Sequence, residues 1–496
     1  MATRPALHSA PSDEQAQQVA KMILKPNTAE AGLSQIEGAI DEDGRLPSIW
    51  DTFANTPGKI SDGTDGRVAC DSYHRTAEDI ALLKSLGAKA YRFSIAWPRI
   101  IPLGGRDDPV NQVGVDHYVK FVDDLLEAGI VPVVTLYHWD LPDNLDKKYG
   151  GVLNKQEFVP DFLRYARVMF EALGSKVPYW ITFNEPFCTS GLGYAVGKHA
   201  PGRSSDRTVN PVGDSSTEPW LAGHSLLCAH GATVKMFREE FKPKYGGEIG
   251  ITLNGDYGYP WDANNPEDMA AVERKLEFAI SWFADPIYHG QYPDSMRAQL
   301  GDRLPTFTDD EIANIKGSND FYGMNHYCSH FIKSWAPKPA PITDIEGNLE
   351  CLFFDKNGTP VGKETQSPWL RPNAPGFRKL LNWISDRYNH PKILVTEFGT
   401  SIKGENDLKY PEILDDEFRC DYFRTYIQAM AEAVAQDGVN VFGALCWSLM
   451  DNYEWSEGYE TRFGVCYVDY EGGQKRFPKK SATDTKEIFE QYMGKV

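Results

Sequence analysis

The chain has 496 residues, 41% of them hydrophobic and 24% charged, which suits a large globular core rather than a disordered or fibrous protein. Its 70 acids against 51 bases leave a net charge of -19, which repels phosphate backbones and anionic lipid surfaces and sets aside nucleic acid and membrane partners. No stretch approaches the roughly 18 continuous apolar residues of a membrane helix.

The first 30 residues hold no apolar run of signal-peptide length and carry acids at Asp13 and Glu14, so an intracellular, cytoplasmic protein is expected. Short runs rich in Val, Ile, Phe and Tyr then recur: AYRFSIAW (90–97), VPVVTLYHW (131–139), YWITF (179–183), EIGITLNG (248–255), DFYGMNHY (320–327), KILVTEF (392–398) and VFGALCWSL (441–449). Between them lie TAEDIALLKSLG (76–87), VDHYVKFVDDLLEAG (115–129), VPDFLRYARVMFEALG (159–174) and DDEFRCDYFRTYIQAMAEAVAQDG (415–438). These segments have apolar residues at three- and four-residue spacing and close on Gly, the signature of amphipathic helices.

Strand followed by helix, repeated, implies a parallel sheet covered by helices. Seven or eight such units without a linker predict an α/β fold, a closed (β/α)8 TIM barrel in a single domain; an open doubly wound sheet is the alternative. Segments 101–112, 196–219 and 334–372 are then long loops on the barrel. The eight cysteines form no CxxC pair, so neither a zinc site nor a disulfide framework is indicated.

Two predicted strands, YWITFNEPF and KILVTEFGT, end in a glutamate: Glu185 and Glu397. Strand C-terminal ends line the face where such barrels place their chemistry. An acid there also suits a helix cap or an arginine partner. Taken as a pair, two carboxylates facing each other suit double-displacement glycoside hydrolysis, one attacking the anomeric carbon and the other donating and later accepting a proton. Other strand ends carry residues that read sugars: His138 in YHWD, Asn184, Asn325 in NHY, and Trp447, Glu454 and Trp455 in WSLMDNYEW. Aromatic faces stack on a pyranose while amide, imidazole and carboxylate groups bind its hydroxyls. Singly, His138 reads as a core histidine, Trp447 as packing and Glu454 as a solvated acid; their joint occurrence at successive strand ends favours a site. GLGYAVG (191–197) resembles a dinucleotide loop but leads to Pro201 rather than a suitable helix. His326, Cys328 and His330 alternate without a further acid or histidine spaced to complete a metal site, and no metal is expected.

With TFNEP, VTEFG, YRFSIAWPRI, HWDLP, NHY, WSLMDNYEW and TRFGVCYVDY in order from about Ser34 to the C-terminus, the chain resembles glycoside hydrolase family 1, in particular its intracellular fungal β-glucosidases. The resemblance implies that Glu185 is the acid/base and Glu397 the nucleophile. It implies that Arg92 and Tyr327 hold the nucleophile, a guanidinium charge and a phenol donor both favouring the ionised carboxylate. Asn184 would bind the sugar 2-hydroxyl, and Gln35, His138, Asn325, Trp447, Glu454 and Trp455 the other groups of a terminal glucose. Retention of Glu454 implies an unphosphorylated sugar, and Glu185 in place of Gln argues against the plant thioglucosidase branch. The implied activity is a retaining β-glucosidase acting on cellobiose, short cello-oligosaccharides and aryl β-glucosides, with transglycosylation and without cofactors. Oligomeric state is not readable.

The chain departs from the family in two places. Where an aromatic, glycine-rich first strand should precede QIEG, it reads MILKPNTAEAGLSQIEG; Pro26 cannot donate to a ladder and Gly32 is a poor strand interior. Residues 1–33 are therefore an atypical N-terminal segment before a catalytic domain over 34–496, with VAKMIL (19–24) as a substitute strand. A lost strand would unpair two edges, so an impaired, sugar-binding barrel is the alternative function. The second departure is Phe398, where the family has Asn after its nucleophile; the ring is expected to displace Glu397 and lower the rate.

Overall fold

The computed structural model describes residues 28–31 and 33–493. Eight parallel strands close a barrel: β1 (Thr28–Ala31), β2 (Ala90–Ser94), β3 (Val131–Tyr137), β4 (Tyr179–Asn184), β5 (Glu248–Asn254), β6 (Tyr322–Asn325), β7 (Ile393–Phe398) and β8 (Val441–Trp447). Going round, each strand pairs with its neighbours in sequence, and β1 closes on β8. Helices cover the outside, among them Thr76–Ser85, Gln112–Glu127, Lys155–Leu173, Glu218–Met236, Ala374–Arg387, Glu417–Asp437 and Lys480–Met493. Short antiparallel and mixed strands decorate the loops, including Leu349–Leu352 inside a segment read from sequence as irregular. No helix among the described residues is long and apolar enough to cross a membrane. All eight cysteines are free thiols, Cys351 half-buried and the rest buried.

The first strand is the main correction. β1 is four residues, TAEA, yet it is paired on both sides: Thr28 to Ala31 run beside Ala90 to Phe93, while Ala29 and Glu30 pair with Cys446 and Trp447. Parallel pairing uses backbone N–H and C=O groups that every residue but proline offers, so two ready-made neighbours can hold a sequence with little strand propensity of its own. VAKMIL, Pro26 and Gly32 lie outside the described residues.

Inside the barrel, Ala90, Val133, Ile181, Phe321, Leu394 and Leu445 form a separate apolar cluster. Two residues further along β2, β3, β7 and β8 stand Arg92, Thr135, Thr396 and Trp447, which the period of two turns to the same side. The barrel axis thus changes from an apolar floor to a polar layer toward the strand C-termini. Bulges adjust this layer: the register of β4 against β5 shifts between Ile181 and Asn184, and that of β7 against β6 between Val395 and Glu397. A bulge bends its strand and re-aims a side chain. Here the two re-aimed positions are Asn184 and Glu397.

Candidate active site

Glu185 is the residue after β4 and adopts φ +47, a left-handed conformation that a side chain other than glycine occupies at a cost. Its N–H donates to Thr252 O at 2.9 Å, and its own carbonyl accepts from Cys188 N at 2.9 Å, so the turn is held from both sides. Glu397 sits one residue from the end of β7. Arg92 Nη1 donates to its Oε1 at 2.8 Å and Tyr327 OH to its Oε2 at 2.7 Å. Both carboxylates are buried.

A continuous hydrogen-bond chain joins them. Arg92 Nη2 donates to Asn184 Oδ1 at 2.7 Å; Asn325 Nδ2 donates to that same oxygen at 3.2 Å and to Glu185 Oε1 at 2.7 Å. Thr135 and Thr396 fix the orientation of the links: Arg92 Nε donates to Thr135 Oγ1 at 2.9 Å, and Thr396 Oγ1 donates to Asn325 Oδ1 at 2.7 Å. The environments of the two acids differ. Burial, and then the charge of Glu397, push Glu185 up to about 8 despite the donor from Asn325, so Glu185 is protonated at neutral pH. Glu397 instead faces a guanidinium and a phenol.

The remaining sequence-predicted residues surround this pair. Asn184 Nδ2 donates to His138 Nε2 at 3.0 Å, which leaves Nδ1 of that imidazole as the protonated, unpartnered nitrogen. Burial, then Arg92, hold His138 well below its ordinary value, so the ring is neutral. His138 lies against Trp455, with ring centroids 5.7 Å apart, and 6.4 Å from Trp447. Gln35 is fully buried; its Nε2 reaches Asn452 Oδ1 at 3.4 Å, and its Oε1 has no partner. Glu454 is half-buried as a residue, but its Oε2 is shielded and unpartnered. Burial, then the charges of Glu457 and Glu397, raise its carboxyl well above the usual range.

Gln35 Oε1, His138 Nδ1 and Glu454 Oε2 are thus buried polar atoms without partners, an arrangement that costs free energy unless a ligand satisfies it. A donor and two oxygens beside indole faces match a polyol ring. The structure joins Glu185, Glu397, Arg92, Tyr327, Asn184, Asn325 and His138 by hydrogen bonds, with Trp447 and Trp455 against the His138 ring and Glu454 beside Trp447; Gln35 is tied instead to Asn452 and Tyr453 N. The structure adds Thr135, Thr396, Asn452 and Trp139. Trp139 Nε1 donates to Asn184 O at 2.9 Å, and its ring meets Trp455 at 4.6 Å. Trp139 was visible beside His138 in HWD; the threonines carried no signal beyond their place two residues past an apolar floor position.

Beside Phe398, Glu397 makes both of its hydrogen bonds, to Arg92 and Tyr327. The Phe398 ring is fully buried among Tyr422 and Phe423 behind the barrel wall. The bulge explains this: with Leu394 and Thr396 facing inward, a regular strand would turn Phe398 inward too, and the register shift after Val395 instead brings Glu397 to the inner face and Phe398 to the outer one. His326 is likewise separate from Cys328 and His330: its Nδ1 contacts Gly255 O at 2.9 Å and its ring stacks on Phe377.

Closed barrel and paired carboxylates together define a barrel enzyme with a two-acid site at the strand C-termini. Residues 27–493 match the model of Glycosyl hydrolase family 1. β-Glucosidase 1B of Phanerodontia chrysosporium is 54% identical over 447 residues, covering 90% of this chain and 81% of that protein. A family 1 β-glucosidase from the fungus Humicola insolens, solved in complex with glucose, superposes with a TM-score of 0.93 at 63% identity, over 95% of this chain and 99% of that one. A rice β-glucosidase mutant solved in a covalent complex with glucose gives 0.90 at 41% identity, over 93% of this chain and 97% of that one. The chain belongs to glycosyl hydrolase family 1 and is a glycosidase.

Proposed function

We propose that this glycosidase is a retaining, exo-acting β-glucosidase, with cellobiose, short cello-oligosaccharides and aryl β-glucosides as substrates. Glu397, held by both oxygens, attacks the anomeric carbon while Glu185 gives its proton to the departing oxygen; a glycosyl-enzyme and a free aglycone result. Glu185, now ionised, takes a proton from water, whose oxygen displaces Glu397 and releases glucose of unchanged anomeric configuration. Asn184 binds the 2-hydroxyl, Asn325 steadies Glu185, and Gln35, His138, Trp447, Glu454 and Trp455 hold the terminal glucose. A sugar hydroxyl in place of water gives transglycosylation. The scheme needs neither a metal nor an organic cofactor.

The observation that carries this reading is the hydrogen-bond chain between a carboxyl raised to about 8 and a carboxylate gripped by Arg92 and Tyr327. Glucose bound in the fungal relative and the covalent complex of the rice relative support it. The impaired-barrel alternative loses its premise with β1 paired on both sides.

The test is release of p-nitrophenol from p-nitrophenyl β-D-glucoside. Wild-type protein should turn over and Glu397→Gln should not, while melting as a folded chain. Glu185→Gln should slow cellobiose cleavage by roughly 10²–10⁴; with p-nitrophenyl β-D-glucoside, whose leaving group needs no proton, the first step should be spared and the second slowed, read as a burst of p-nitrophenol followed by slow turnover. NMR of the first product should show β-glucose; α-glucose appearing first would overturn the retaining mechanism.

A further inference from the structure

Apart from the carboxylate pair, two sets of metal-ligating side chains converge among the described residues: His224 with Cys228 and Glu311, and Asp256 with Cys328 and His330. Within each set, one ligand atom per residue lies within 4.8 Å of the others. The first set already holds a cation. Lys155 Nζ lies 3.2 Å from His224 Nε2 and pairs with Glu311 Oε1, so an ammonium occupies the position a metal would take.

The second set has no such occupant. Its nearest basic side chains are engaged elsewhere: Lys275 with Glu346 at 3.1 Å, and Arg371 over the Phe353 ring and on the carbonyls of Pro368 and Leu370. Cys328 Sγ and His330 Nε2 are 3.7 Å apart. Zinc bonds of about 2.3 Å to sulfur and 2.0–2.1 Å to nitrogen at a tetrahedral angle place those donors roughly 3.5 Å apart. Asp256 comes from the loop after β5. Its Oδ1 accepts from Cys328 N at 3.0 Å, which orients the carboxylate, and its Oδ2 lies 3.9 Å from His330 Nδ1. An ion takes a single ring nitrogen, and Nε2 is the one beside the sulfur; Nδ1, buried and without a hydrogen-bond partner, then carries the ring proton on the side of Asp256. The side chains of His330 and Asp256 remain 14% and 29% exposed, which leaves an approach for an ion and a water as fourth ligand. A sulfur, a nitrogen and a single carboxylate oxygen favour a borderline-soft cation over Mg²⁺ or Ca²⁺.

We propose that Asp256, Cys328 and His330 bind a borderline-soft divalent cation, Zn²⁺ or its analogues, and that the bound ion inhibits the enzyme. On binding, the Cys328 thiol releases its proton to solvent and a metal–sulfur bond forms, without change of oxidation state. Cys328 directly follows Tyr327, whose hydroxyl donates to Glu397, and its sulfur also contacts Trp369 O at 3.3 Å. Drawing the sulfur to a metal moves the backbone that carries Tyr327. Inhibition therefore lowers kcat rather than competing with substrate. The inhibitory half rests on the role assigned above to Tyr327; the binding half does not.

Chelator-treated protein titrated with Co²⁺ tests binding without turnover. One equivalent should bind with a thiolate-to-cobalt charge-transfer band and the visible spectrum of a tetrahedral ion. Cys328→Ser should abolish the band, Asp256→Asn and His330→Asn should weaken binding about tenfold or more, and Cys228→Ser should leave it intact. No thiolate band from a cooperatively melting wild type, or a band that survives Cys328→Ser, overturns the site. Should Cys328→Ser not fold, unchanged affinity in Asp256→Asn has the same force. Zn²⁺ should lower kcat of the wild type and spare Asp256→Asn; equal inhibition of both overturns the regulatory half.

Discussion

At the residue scale, the difference between Glu185 and Glu397 comes from their neighbours and not from their chemistry. Burial and the charge of Glu397 raise Glu185, and the amide of Asn325 partly offsets them by donating to its ionised form. Asn325→Ala removes that donor, so Glu185 should hold its proton to higher pH. The basic limb of the kcat/KM profile should move upward, measured with p-nitrophenyl β-D-glucoside across pH 5–9; a limb that stays or moves down contradicts the assignment. The same shift affects stability. A carboxyl that is raised in the folded state binds more protons there than when unfolded, so stability falls as pH rises from its ordinary 4.5 toward about 8. Glu185→Gln should therefore raise the melting temperature at pH 8 and leave it nearly unchanged at pH 4.5. An equal change at both values would mean that the charge is not the cause.

At the element scale, closure of the barrel depends on its shortest strand. β1 contributes only four residues, and Ala29 pairs with both Tyr91 and Cys446. Proline there deletes an N–H from a strand with neighbours on both sides. Ala29→Pro should cost about 1–3 kcal/mol or more, the penalty of a buried group left unpaired, read as a lower denaturant midpoint. Activity should fall with the folded fraction. A midpoint equal to that of wild type would show that β1 does not close the barrel in solution. The bulges of β4 and β7 act at this scale too, because a regular strand would alternate Asn184 and Glu397 out of the positions their hydrogen bonds require.

At the scale of the whole molecule, a buried ionic cluster fastens the C-terminal part to the barrel. Arg419, on the helix Glu417–Asp437, pairs with Glu405 at 2.7 Å and Asp416 at 2.6 Å; Lys479 joins Glu405 at 2.6 Å and Asp451 at 2.8 Å; and Arg462 meets Asp451 at 2.7 Å. Burial alone would raise Glu405, but Arg419 and Lys479 overcome it and hold the carboxyl down to about 2. A depressed carboxyl contributes stability above its unfolded value that is lost as pH falls through the folded one, here between about 4.5 and about 2. Acid unfolding monitored by circular dichroism should show a steep loss in that window. Glu405→Gln should flatten it while lowering stability at pH 7 by roughly 3–5 kcal/mol, because two buried cations lose their shared partner. An acid limb as steep as in the wild type would place the proton uptake elsewhere in the chain.

Alternating periods of 2 and 3.6 made a parallel α/β fold legible in the sequence, with a closed barrel preferred to an open doubly wound sheet, and the two glutamates were legible because strand ends show where apolar runs stop. Seven of the eight strands were readable because each carries its own apolar run. β1 was not, because it is held by ladders that β2 and β8 supply and no local propensity reports them. The outward face of Phe398 was hidden for a related reason: it depends on the bulge after Val395, which only pairing with the neighbouring strands reveals. Tertiary structure alone decided what joins residues far apart in the chain, namely the path from Arg92 through Asn184 and Asn325 to Glu185. It likewise decided the placing of Asp256 beside Cys328 and His330. Hydrogen bonds and charge depend on distance in space, and sequence spacing carries that distance only within one strand or one helix.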